Sequence, residues 1–171
     1  CFTCLNPKHG PHNLFKSEQA HPYYASKDMY VTSSGSTLYQ YDGGNNLGGE
    51  WVSVLFDQPH YFHEIYVESV EGSSLTADNI EVIGQTSTGF ETILAWVQLT
   101  KAQGSSVYSG NATITYPSTF TTYPAFVQIF IVINAMKYRA DFTGTTTDSL
   151  RGELGKVVLK TQRQQPSCPV P

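Results

Sequence analysis

The chain has no run of 18 apolar residues, so nothing in it reads as a membrane-spanning helix. A continuous apolar stretch, Ile129 to Ile133, suits a buried strand. No window carries a sustained amphipathic helical period, and Met29 and Met136 are the only methionines. Charge is sparse: 14% of residues, with a net charge of −4. That balance argues against a nucleic-acid partner, because a phosphate-binding surface concentrates Lys and Arg. It argues more weakly against anionic membranes, since a local basic patch escapes the sum. A Gly-x-Ser-x-Gly nucleophile motif is missing, as is a carboxylate pair that could be placed in a cleft.

Cysteine is also scarce, and its three positions bracket the chain: Cys1, Cys4 and Cys168. A bridge from Cys1 or Cys4 to Cys168 would tie the two ends together and stabilise by roughly 4–5 kcal/mol on the chain-entropy model. A redox site at Cys1–Cys4 is the rival, but no βαβ pattern follows it. His9 and His12 lie nearby without the compact spacing of a zinc site, so turn histidines explain them better. A chain opening at Cys1 is expected to be a mature form or an excised domain. The sequon Asn111-Ala112-Thr113 marks Asn111 as a candidate glycosylation site and agrees with secretion.

What is present in quantity is aromatic: 11 Tyr, 9 Phe and 2 Trp, with 14 Gly and 9 Pro in 171 residues. This composition predicts a single all-β domain with many turns. Its centre is 50–67. Val52, Val54 and Phe56 alternate against Trp51 and Leu55, which predicts a strand buried on both faces in the middle of a sandwich. Pro59 is expected to end that strand, and a second begins at Phe62. Further strands are predicted over 79–84, 90–99, 111–116, 125–133 and 150–160, with a hairpin turn at 85–89. Residues 1–30 are loop-like, punctuated by Pro7, Pro11 and Pro22. About eight short strands with long loops on one side describe an antiparallel jelly-roll β-sandwich.

The order of several short motifs resembles a discoidin domain, the C-type domain of coagulation factors, within the galactose-binding-like group. A Gly- and Asn-rich loop leads into Glu50-Trp51-Val52-Ser53-Val54-Leu55-Phe56-Asp57. His63 to Val67 follows, then Asn79-Ile80-Glu81-Val82 with the turn Thr88-Gly89-Phe90. Tyr108 to Thr113 resembles the family's glycine-asparagine turn, and Leu150-Arg151-Gly152-Glu153-Leu154 its closing strand. Gln128 and Gly152 depart from the pattern, standing where arginine and an apolar residue are usual. The match covers 1–168, leaving 169–171 as a tail.

The resemblance implies a sandwich whose loops at one end form the ligand site, here 21–28, 32–37 and 71–78, with 138–146 beside them. It also implies a structural calcium as candidate cofactor, held by Asp42, Asn45 and Glu153, although the inserted Gly44 departs from that loop. The expected function is an extracellular, non-catalytic recognition module, a lectin-like domain binding a glycan or cell-surface glycoprotein in adhesion. His21, Tyr23, Tyr24, Lys27, Tyr138 and Arg139 are its candidate ligand-binding residues; tyrosine offers a flat apolar face and a hydroxyl together. Protein–protein adhesion through the same loops is the alternative, and phospholipid binding ranks lower. Other domains of a parent chain are further candidate partners. An enzyme is not expected: His63 and Glu64 are acid–base groups, but adjacent strand positions should point to opposite faces.

Overall fold

The computed structural model describes residues 14–15, 24–25, 50–71, 75–114, 124–138 and 153–162. Apart from a short 3-10 turn at Leu14 and Phe15, regular structure among them is entirely antiparallel strand. The strands are β1 (Tyr24–Ala25), β2 (Glu50–Ser69), β3 (Leu75–Gln85), β4 (Glu91–Gln98), β5 (Thr100–Lys101), β6 (Tyr108–Thr113), β7 (Phe126–Tyr138) and β8 (Glu153–Gln162). They form an all-β sandwich, as the composition predicted.

One sheet runs β2–β7–β3–β4 and the other β1–β8–β2–β6–β5, so β2 belongs to both. Its first half, Glu50 to Leu55, pairs with β7; its second half, from Tyr61 onward, pairs with β8 and β6. The expected break at Pro59 is instead a corner within one 20-residue strand. Pairing with β7 shifts register between Leu55 and His60. Pro59 sits in that gap, where its missing N–H removes no ladder bond.

A second crossing faces this one. Leu99 separates β4, paired with β3, from β5, paired with β6. Leu99 is wholly buried, and its N–H donates to the Asp78 carbonyl at 3.0 Å. Gly110 of β6 lies against the Gln98 carbonyl, with no room for a side chain. The two sheets are therefore joined by continuous chain on both sides.

Between them lies the core. Val52, Ile131, Val82 and Ala95 form a cross-strand row on the inner face of the first sheet. Ile65, Val67, Leu154 and Val157 face inward from the second. Phe62 and Phe126 are the largest wholly buried side chains; each contributes about 1.5–3 kcal/mol of burial. Gly84 makes space for Phe126, whose Cδ1 would sit 2.7 Å from an added β-carbon. Leu14 is also wholly buried in this core, so the segment read as loop supplies one core residue.

Several boundaries move. The β3–β4 hairpin lies where expected: Gly89 (φ +87°) donates to the Thr86 carbonyl at 3.0 Å. β6 begins at Tyr108, three residues before the expected start. β7 continues to Tyr138 through residues expected to be loop, because β3 offers it partners as far as Leu75.

Candidate functional site

Register brings three of the expected site segments to one rim. Tyr24 pairs with Leu154, Leu154 with Ser69, and six residues further on Leu75 pairs with Tyr138. Glu153 opposes Ala25 at the same end. Of the expected ligand loop 71–78, residues 75–78 belong to β3. Tyr138 ends a strand, and Tyr24 lies in the two-residue β1. Cys1, Cys4, His21, Tyr23, Lys27, Asp42, Asn45, Arg139 and Cys168 lie outside the described residues, as does the segment 32–37. Among the described residues, no three His, Cys, Asp or Glu side chains converge into a metal-sized group.

The outer faces of the two sheets contrast. On the second sheet Glu64, Tyr66 and Glu68 of β2 face outward, since Ile65 and Val67 are buried. Lys160 Nζ donates to Glu64 Oε1 at 2.6 Å, and Asn111 Nδ2 donates to the same oxygen at 2.7 Å. These bonds hold the Glu64 carboxyl below its ordinary value, Lys160 contributing most and Asn111 next. The sequon residue Asn111 is thus an exposed strand position whose amide is engaged. Tyr66 donates its hydroxyl to Glu68 Oε2 at 2.6 Å; burial foremost, then this bond, pushes the phenol above its ordinary range.

His63 and Glu64 correct a sequence expectation. Register against β8 shifts between Phe62 and Glu64, and both Phe62 and Ile65 are wholly buried. The extra residue leaves His63 exposed and Glu64 part-exposed, rather than on opposite faces. Glu64 is held by its two partners.

The first sheet is different. Trp51, Val132, Glu81 and Trp96 form one outward cross-strand row. Ser53, Phe130, Ile83 and Ile93 form the next. Leu55, Gln128, Gln85 and Glu91 form a third, and on the other side of the tryptophan row Asn79 pairs with the exposed Gln98. Trp51 is 47% exposed, Trp96 54% and Leu55 72%, so the expectation that Trp51 and Leu55 lie inside the sandwich is overturned. Only the Val52 side of that strand meets the other sheet. Phe130 meets Trp51 edge to face, with ring centroids 5.3 Å apart. Gln128 donates to Ser53 Oγ at 3.1 Å, and Gln85 to Glu91 Oε1 at 2.8 Å. Past Leu55, the corner of β2 carries a shallow depression of about 410 Å³ lined by Phe56, Asp57, Gln58 and His60. There Phe56 packs against His60 and Phe62, with centroids 5.3 Å apart in each pair.

No protein-family model and no curated protein matches this chain. The site is therefore read from its own chemistry. The tryptophan face was missed in the sequence because alternation groups residues by face without saying which face is covered. One signal was present: Trp51, Phe130 and Trp96 all take the phase opposite to the fully aliphatic positions of their strands.

Proposed function

We propose that the chain is an extracellular, non-catalytic recognition module, discoidin-like in its jelly-roll connectivity, that binds glycans in adhesion through segments at one rim. The observation that carries this is the meeting of β1, the end of β2, the start of β3 and the end of β7 at a single end of the sandwich. In that reading Tyr24 and Tyr138 belong to the ligand site, with His21, Tyr23, Lys27 and Arg139 from the adjoining segments. A calcium at Asp42, Asn45 and Glu153 and a bridge from Cys1 or Cys4 to Cys168 would brace the same end and the termini. Sugar rings suit such a site because they present an apolar C–H face to an aromatic ring and hydroxyls to polar groups.

The test is a glycan array read with calcium present and with calcium chelated. Tyr24→Ala is expected to weaken glycan binding while the melting temperature stays within a few degrees of wild type. An array that stays silent while a cell-surface protein is captured would replace the glycan with a protein partner. Collapse of folding in Tyr24→Ala would assign the ring to the core.

A further inference from the structure

We propose that the outer face of the β2–β7–β3–β4 sheet is a second docking platform, for a neutral, extended glycan laid across the strands from Trp51 to Trp96. The proposal takes its ligand class from the recognition-module reading and is independent of the rim. Its first support is the contrast between faces. Outward positions of the second sheet are mostly polar, with Glu64 and Lys160 ion-paired and Val158 the apolar exception opposite Tyr66. Outward positions of the first sheet carry two tryptophans, each about half exposed, on its two margin strands, with Glu81 and the buried Val132 between them and Phe130, Ile83 and the exposed Ile93 in the next row. A patch of this kind marks an interaction site rather than solvent-facing surface.

Size and charge select the occupant. Four strands about 4.8 Å apart and three two-residue steps of about 6.8 Å give a projected footprint on the order of 400 Å². A stable protein interface takes about 800 Å² from each partner, so the face is too small for a firm dimer. Glu81 stands in the tryptophan row and Glu91 at a corner, and none of the twelve positions in the three four-residue rows is Lys or Arg. Two copies packed face to face would bring these carboxylates together with no Lys or Arg among the twelve positions, and an acidic partner would meet the same repulsion. A neutral glycan avoids both. Its C–H faces stack on the indoles, and its hydroxyls meet the Glu81 carboxylate in the same row. Three strand spacings separate Trp51 from Trp96, roughly 14 Å, a span that suits a short oligosaccharide rather than a single ring. Phe130, edge-on to Trp51, steadies one end of the platform.

The experiment is affinity electrophoresis in native gels cast with soluble galactan, β-glucan or mannan, using wild type, Trp51→Ala, Trp96→Ala, Trp96→Phe and Tyr24→Ala. Wild type is expected to be retarded in at least one gel. Trp51→Ala and Trp96→Ala should each weaken that binding about tenfold, the scale of one aromatic contact. Trp96→Phe should keep part of it, and Tyr24→Ala, which reports on the rim, should keep the share that the tryptophans carry. Unchanged melting curves show that the variants fold. Retardation in none of the gels overturns the proposal, as do tryptophan variants that bind like wild type. A wild-type dimer that the tryptophan variants turn into monomer overturns it in favour of a second copy. Tryptophan-dependent retention on octyl-agarose alone overturns it in favour of an unspecific apolar surface. Loss of glycan binding in Tyr24→Ala alone removes the sheet-face platform and leaves the rim standing.

Discussion

Among single residues, Glu64 carries the clearest electrostatic consequence. Its carboxylate accepts from both Lys160 and Asn111, and its folded-state pKa lies below the ordinary 4.5. A depressed carboxyl pKa adds stability that is present above the unfolded value and is lost as pH falls through the folded one. Lys160→Met is expected to move the Glu64 titration up toward 4.5 and to make acid unfolding less steep below that pH. Carboxyl titration by NMR reads the first effect directly; an unmoved midpoint would show that the ion pair does nothing in solution. The strand that carries Glu64 was legible from alternation alone. Its partners were not, since Asn111 and Lys160 lie 47 and 96 residues away in sequence.

At the scale of elements, β7 is the most enclosed strand of the first sheet, paired with β2 on one side and β3 on the other. β4 ends the strand order of that sheet. Amide exchange should therefore be slowest across Ile129 to Ile133 and measurably faster at alternate residues of β4, which among the described residues pairs only with β3. Equal protection in both strands would mean that something else covers the β4 margin. The sequence marked β7 by its continuous apolar run and the β3–β4 hairpin by Gly89. It misjudged β2, because proline reads as a stop wherever local propensity is the only guide. Here the sheet corner supplies a place where the missing N–H costs nothing.

For the molecule as a whole, the seam between β4 and β6 closes the sandwich opposite the β2 corner. Gly110 lies at that seam, and a β-carbon there would collide with the Gln98 carbonyl and sit 2.7 Å from Val97 Cγ1. Because the first obstacle is backbone, Gly110→Ala must part the sheets locally, and a loss of about 1–3 kcal/mol is expected in a denaturant titration. A midpoint equal to wild type would show that the seam yields freely. The sequence by itself determined that this chain is all-β, which residues share a face in the first half of β2 and in the apolar run of β7, and where the tight hairpin turns. Tertiary structure alone decided that β2 serves two sheets, that Leu14 reaches the core, and that Trp51 and Trp96 look outward. The physical reason is that a period of two sorts side chains into two sets, while only the packing of one sheet on the other decides which set leaves water.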